Sequence, residues 1–478
     1  MGCWRKFLVL LQRCISFLVY LKIHTEPIIL VMAACNSAIQ VVNPTLSQDK
    51  MKRTYPMPAD MDPSKYTAYI SKWMVYWDQQ YSYINIPVSC IMGIIFGGYS
   101  DRHGRKIPML VGLISVMIST SLKMLMYSKT TDWPLAVNYP LATFCGLFGD
   151  FSLTMTCVNS YLTDQFPDKK QLSVRMVIVS IIFSLGNLGG AQLADQLLKI
   201  VSKIALLGIA LGGTLVAFIY GVVVLKKYKP TKKRILFDAE SENGEEATEE
   251  RDYAETVSLL QTIKESFLSI WESVKIFIVK REGHKRLFLY VCFLANFLDQ
   301  FVFGEEKSLI GTYTKLPPFS WSTHDYAIYK TWRPIAQILG MLFGLAFLKK
   351  LLKLRDTTCI CLAIGSMGLC ALVIGLARVS WLIYASLAPG AFHGLLNPLT
   401  YTFMSCVVEQ NEIGKAYAIS SIAQQLAGFA QSLILQNIYK ATVDWYMGFV
   451  WLLMAGVSGV AMLLYVFVGF VAKRENVG

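Results

Sequence analysis

Between two long apolar runs the chain carries Gly97-Gly98-Tyr99-Ser100-Asp101-Arg102-His103-Gly104-Arg105-Lys106, a charged stretch punctuated by glycine. Arg102, Arg105 and Lys106 crowd together beside an apolar run, the pattern of a cytoplasmic membrane face. Gly104 is free to adopt positive φ, which lets two spanning helices turn antiparallel with almost no connector. Asp101 is short and anionic, suited to the positive N-terminal end of another helix. Basic residues alone would describe any cytoplasmic hairpin. The acid and the glycines at this spacing describe a built turn, and Gly97, Asp101, Arg102, Gly104, Arg105 and Lys106 are expected to form a gate, with Asp164 opposite Arg105 and the segment near Gly414 opposite Asp101.

The surrounding composition agrees. Of 478 residues, 54% are hydrophobic and 16% charged, and the mean hydropathy is +0.45, which excludes an ordinary soluble enzyme and makes the lipid bilayer the first partner. The net charge of +13 sits in short loops between apolar runs. Membrane topology accounts for it, so no nucleic-acid partner is expected. None of the 11 cysteines lies in 47–73 or 308–324, the longest segments placed outside, so no disulfide framework follows. No N-glycosylation sequon occurs, because Asn43-Pro44-Thr45 carries the forbidden proline.

A bilayer core takes about 20 apolar residues per helix. Twelve segments qualify, near 26–46, 77–98, 107–127, 136–162, 173–196, 203–225, 286–306, 326–348, 357–377, 380–405, 414–437 and 446–471. Placing both termini in the cytoplasm assigns most Lys and Arg to that side. The expectation is an all-α membrane protein of two six-helix bundles: an N-terminal segment 1–25, a first bundle 26–225, a connector 226–285, a second bundle 286–471 and a tail 472–478. Residues 7–21 are apolar but too short to span, and read as an interfacial helix. The connector passes from Lys226-Lys227-Tyr228-Lys229 into an acidic stretch, Glu240 to Asp252, expected to be disordered. An amphipathic helix is expected over 255–279. Opposite Gly97 to Lys106, Lys349 to Asp356 is also short and basic but lacks the glycines, as a decayed internal repeat would.

Ionisable side chains are expensive in hydrocarbon, by about 2.5–3.5 kcal/mol on insertion scales, so each one inside a span asks for a reason. Asp150, in Gly149-Asp150-Phe151-Ser152 of the fourth span, is the preferred proton carrier, since burial disfavours a charged carboxylate and brings proton exchange toward neutral pH. A buried hydrogen bond bracing the helices is the plainer reading of the same residue. Asp299 in the seventh span and His393 in the tenth are further proton-coupling candidates. Arg333 in the eighth span is the candidate anion contact. Polar stripes run along single helix faces: Asn36, Gln40 and Asn43; His393, Asn397 and Thr400; and Ser421, Gln424 or Gln425, Gly428, Gln431 and Ser432. Asn36, Gln40, Asn397, Gln424 and Gln425 are the substrate-binding candidates, although such residues also glue helices together. Gly186 to Ala191 and Pro389-Gly390 mark close packing and bending. No zinc spacing, Walker loop or nucleophile elbow is present. No enzymatic activity, metal or cofactor is expected, and uphill transport would draw on an ion gradient.

The G-x-x-x-D-R-x-G-R-K spelling of residues 97–106 resembles the loop joining the second and third helices of the major facilitator superfamily. Within it, the chain is similar to solute carrier family 46, relatives of the proton-coupled folate transporter. Glu26-Pro27, Gly149 to Ser152, Glu412-x-Gly414 and the run from Tyr439 to Phe449 carry that likeness. The resemblance implies a twelve-helix bundle with a central cavity and proton-coupled uptake of organic anions, and some members serve lysosomes. Ser180 stands where the folate-carrying branch has a carboxylate and Tyr401 where it has an arginine, which argues against folate itself. Ser320 falls near a position where vertebrate relatives carry a paired cysteine.

The expected function is secondary-active transport by alternating access, a proton-coupled symport of a small organic anion, for which a single copy suffices. A proton antiporter or facilitator is the alternative mode, and a transporter-like receptor signalling through the connector the alternative class. The plasma membrane is the expected location, with a lysosomal or endosomal membrane as the alternative.

Overall fold

The computed structural model describes residues 24–165, 169–225, 284–344, 351–408 and 413–475, with Leu268, Trp271, Phe277, Ile278, Phe347 and Leu348. The expected interfacial helix at 7–21, the acidic stretch and most of the expected helix at 255–279 lie outside the described residues. Among those described there are only helices and turns. We label the helices α1 (Glu26–Thr54), α2 (Pro63–His103), α3 (Lys106–Tyr127), α4 (Asn138–Leu147), α5 (Asp150–Gln165), α6 (Lys169–Leu197) and α7 (Lys203–Val224). After the connector come α8 (Lys285–Tyr313), α9 (Thr323–Gly344), α10 (Asp356–Leu376), α11 (Ser380–Ala385), a 3-10 segment at Pro389–Leu395, α12 (Leu396–Val407), α13 (Ile413–Thr442) and α14 (Phe449–Glu475). Six of them, α1, α3, α7, α8, α10 and α14, are long and apolar enough to cross a membrane.

Local chemistry sets the ends. Pro27 sits in the first turn of α1, where its missing N–H leaves no bond unmade. Gly104 has φ +96°, and its N–H donates to Ser100 O at 3.0 Å, so the hairpin between α2 and α3 turns as its sequence predicts. Two expected spans are not continuous helices. The segment 136–162 breaks between α4 and α5, where Gly149 takes φ +76° and Asp150 opens α5 instead of lying within a helix. The segment 380–405 divides into α11, the 3-10 turn and α12, because Pro389 opens a tighter turn and Ser366 Oγ donates to its carbonyl at 2.5 Å. The expected outer segment 47–73 is mostly helical, since α1 runs on to Thr54 and α2 starts at Pro63. Stacking of Tyr55 on Trp73, with centroids 3.9 Å apart, joins those extensions.

The packing repeats. α1 lies against α6 and α7, α2 against α4, and α3 against α5 and α7. In matching order, α8 lies against α13 and α14, α9 against the 3-10 segment, and α10 against the 3-10 segment, α12 and α14. Between the two sets, α6 meets α9 and α2 meets α13, which are again equivalent pairs. Glycine makes the tightest approach: a Cβ on Gly190 would stand 2.1 Å from Ala34 O, so α6 presses directly on the backbone of α1.

Candidate proton and substrate site

Two of the proton candidates meet. Asp299 on α8 and His393 on the 3-10 segment are both buried, and His393 Nε2 lies 3.1 and 3.0 Å from the two carboxylate oxygens. The short 3-10 turn brings the histidine here, packed so closely on α9 that a Cβ on Gly340 would stand 2.3 Å from Ala391 O. The Phe303 ring, one helical turn beyond Asp299, covers His393 with centroids 4.4 Å apart. The Arg333 guanidinium stands 5.5 Å from the centre of the same ring. Acid, imidazole, ring and guanidinium, drawn from three elements, therefore form one row. Asp299, Arg333 and His393 are distant in sequence, and no local motif announces their meeting.

Beside this row is a polar cleft. Asn296 and Gln300 flank Asp299 on α8, and Thr400, Ser420 and Gln424 face them from α12 and α13. Tyr465 OH donates to Asn296 Oδ1 at 3.2 Å. Gln424 is thus brought to the cleft, while Gln425 turns to α2, where its Oε1 accepts from Cys90 Sγ at 3.0 Å. Gln40 Oε1 accepts from Lys330 Nζ at 2.6 Å, linking α1 to α9. Asn36 lies one turn earlier on α1, partly buried. The side chains of Asn397, Asp150, Asp101, Arg102 and Asp164 lie outside the described residues.

In the hairpin, Arg105 is buried and donates from Nη1 to Ser100 Oγ at 2.7 Å. Lys106 Nζ donates to Val222 O at 2.8 Å, where the free carbonyls of α7 attract a cation. Glu26 at the start of α1 is buried and pairs with Arg175 of α6 at 3.4 Å.

Several polar residues escaped the sequence reading. Lys330 lies one turn before Arg333, close to a span end, where a lysine is unremarkable by composition. Thr45 and Thr323 hydroxyls are 2.8 Å apart, Gln192 donates to Thr331 at 2.9 Å, and His324 Nδ1 lies 2.6 Å from Asp195 Oδ1. On the other seam, Gln79 donates to Ser432 O at 2.8 Å, Ser71 and Tyr439 hydroxyls are 2.6 Å apart, and Lys72 pairs with Asp444. These ties join the C-terminal parts of α1 and α6 to the N-terminal part of α9, and the N-terminal part of α2 to the C-terminal part of α13 and the turn after it. Only a basic or acidic residue inside an apolar run signals itself; a threonine does not.

The sequence pattern of the Major Facilitator Superfamily matches residues 70–432, most of the chain. The chain belongs to the Major Facilitator Superfamily. It is similar to solute carrier family 46 member 2 of Canis lupus familiaris, 26% identical with 79% of this chain and 76% of the relative covered. It is also similar to a Drosophila melanogaster protein named as a probable peptidoglycan muropeptide transporter SLC46, at 22% identity over 79% of this chain and 70% of that one. The lysosomal proton-coupled steroid conjugate and bile acid symporter SLC46A3 of Gallus gallus is 24% identical, over 77% of this chain and 74% of its own. Among solved structures, the peptide transporter POT in complex with sulfate superposes with a TM-score of 0.60 at 14% identity, covering 94% of this chain and 95% of that one. The protein is thus a membrane transporter of the superfamily, resembling solute carrier family 46, and not an enzyme.

Proposed function

We propose that this superfamily member is a proton-coupled symporter of a small organic anion, and the observation that carries the proposal is the buried Asp299–His393 pair set one aromatic ring away from Arg333. A carboxylate and an imidazole in contact away from water share a proton readily, and the charge that the proton removes is costly to leave buried. Arg333 offers the planar, permanently charged fork that carboxylate, sulfate and phosphate groups favour. Protonation of the pair lets the loaded carrier reorient; release on the other side resets it. Asp150 is a second proton carrier in this scheme. Asn36, Gln40, Asn397, Gln424 and Gln425 contact substrate or the elements around it, and the amide-lined cleft suits the uncharged polar groups of that substrate.

In the same reading, twelve spans form two six-helix bundles joined by the 226–285 connector, with both termini in the cytoplasm. The repeated packing of helices supports it. The Gly97 to Lys106 hairpin then closes the inner mouth in the outward-facing state, and Asp101→Ala is expected to lower turnover more than substrate affinity; an affinity loss at normal turnover would contradict that role. A lysosomal membrane opposes an acidic lumen to the cytoplasm, and a plasma membrane supplies the same direction of drive where the outer medium is the more acidic side. The lysosomal relative in Gallus gallus makes the second setting a direct subject for localisation imaging.

The test is uptake by the reconstituted protein under an imposed pH gradient, with bile acids, steroid conjugates and muropeptides as candidate substrates. Wild type is expected to accumulate substrate, whereas a facilitator would only equilibrate it. Asp299→Asn is expected to abolish pH-driven accumulation while leaving counterflow exchange, and Arg333→Met to raise KM at least tenfold. Undiminished proton-driven uptake in Asp299→Asn would sink the proposal.

A further inference from the structure

The two contacts between the sets of helices, α6 with α9 and α2 with α13, are tied at the same end of the molecule, away from the Gly97 to Lys106 hairpin, but by groups of different chemistry. Between α2 and the turn after α13 the ion pair is Lys72 with Asp444, residue types that keep their charges between about pH 5 and 8. Between α6 and α9 it is Asp195 with His324, whose Nδ1 lies 2.6 Å from Oδ1. An imidazole changes charge within that same range. The Asp195 side chain is 8% exposed and that of His324 56%, so the carboxylate is hidden while the imidazole takes its proton directly from the medium. Asp195 stands in the last turn of α6 and His324 in the first turn of α9. Each charge is disfavoured at its own helix end and favoured at the end of the other helix, so their attraction is realised only while the two helices meet.

The other charged groups at this end of the elements around α9 have partners of their own. Asp49 of α1 pairs with Lys203, Lys50 and Arg53 pair with Asp132, and Lys199 beyond α6 donates to Gln196. Asp325 accepts from the Ser322 N–H and hydroxyl, Lys315 donates to Thr45 Oγ1 and Trp321 O, and Lys330 donates to Gln40. Lys52 is exposed. The 3-10 segment, which also packs on α9, carries only His393, in contact with Asp299. We propose that Asp195 and His324 form a proton-operated latch, in which protonation turns an uncharged ring into the cation of an ion pair and draws α9 onto α6. Gln192, one turn before Asp195, adds its bond to Thr331, and Thr323, next to His324, its bond to Thr45, so one closure engages the whole seam. This proton-responsive site is separate from the buried Asp299–His393 pair: it governs which end is shut, not what is coupled to the cargo. It rests on the proposed function only for its direction, the compartment that supplies the proton being the one this seam shuts out.

The latch is read without substrate, in the purified full chain in nanodiscs, by double electron–electron resonance between nitroxide amino acids at two exposed sites. One is Ile200, just past α6, and the other Trp381 of α11, which Tyr384 ties to α9 by donating to Asp325 O at 2.8 Å. From pH 8 to pH 5.5 the short-distance population should rise relative to the long one by about two- to fivefold, the range that a partly exposed ion pair supports. His324→Gln, which keeps a donor but takes no charge, should abolish the rise. His324→Arg should hold the short distance dominant at both pH values, and Asp299→Asn should leave the rise in place. No rise in wild type, or a rise that survives His324→Gln, overturns the proposal. So does a rise lost in Asp299→Asn, which would place the proton at the other pair. Because no cargo is present, a normal rise in a protein without proton-driven uptake would count against the symport reading and support the latch.

Discussion

Buried Lys50 is held from two directions, its Nζ donating to Asp132 Oδ1 and to Trp133 O at 2.8 Å each. The Lys50 hydrogen bond, with Arg53 adding its charge, holds the Asp132 carboxyl below its ordinary range. A depressed carboxylate stabilises the fold above its unfolded pKa and loses that contribution as pH falls through the depressed value. Because the Asp132 side chain is 46% exposed, solvent screens the pair, and Asp132→Asn should destabilise by only about 0.2–1 kcal/mol near neutral pH, read as a lower unfolding midpoint, and the gap to wild type should shrink on acidification. Lys315, in the turn between α8 and α9, behaves oppositely in sign of charge. Burial, then the Lys203 charge, pulls its ammonium from 10.5 to about 8. Between those values the unfolded chain holds a proton that the folded one has released, so stability rises with pH across that window and is lost again as pH falls through about 8. Lys315→Met should flatten this rise, comparing unfolding midpoints at pH 7.5 and 9.5; an identical slope in both proteins would contradict it. Of these residues the sequence displayed little, for Lys50 and Lys315 stand in stretches whose basic character reads as a solvated rim. Asp299, His393 and Arg333 were legible because charge inside an apolar run needs a reason. Their association through Phe303 was not, because it depends on the fold.

Helices form where residues repeat, but their breaks follow from single positions. Pro389-Gly390 foretold bending in the tenth span, whereas Phe148-Gly149 carries no proline and left the division between α4 and α5 unseen. α1 and α2 outrun their apolar cores because apolarity marks where a helix meets lipid, not where its backbone stops; Lys50 and the Tyr55–Trp73 stack extend them. The glycines of α6 show how local the constraint is. A Cβ on Gly190 would strike the backbone of Ala34, while one on Gly189 would meet nothing within 4 Å. Gly190→Leu is expected to push α1 from α6 and destabilise by at least about 1–3 kcal/mol, seen as a lower unfolding midpoint and reduced yield. Gly189→Ala should be close to neutral, and equal effects from the two would refute the contact argument.

Across the molecule, the matching pairs α6–α9 and α2–α13 are the seams along which the two sets of helices meet. The hairpin from Gly97 to Lys106 carried the resemblance to the superfamily through its spelling, and only its turn at Gly104, with φ +96°, was legible from backbone preference. The seams were not legible: Thr45–Thr323 and Gln192–Thr331 unite positions far apart in the chain with no charge to flag them. Replacing Thr45 and Thr323 together by cysteine should allow an oxidative cross-link that arrests transport, with recovery on reduction; transport that continues with the link formed would show that this seam does not open. Both hydroxyl contacts, like that of Gln79 with Ser432 O, are bonds that water can replace at little enthalpic loss, for about 0–2 kcal/mol of immobilisation each. Parting such a seam is therefore a wetting event. An impermeant osmolyte that lowers water activity should favour the sealed form and slow turnover, making the carrier a gauge of osmotic pressure at the face where the seam lies.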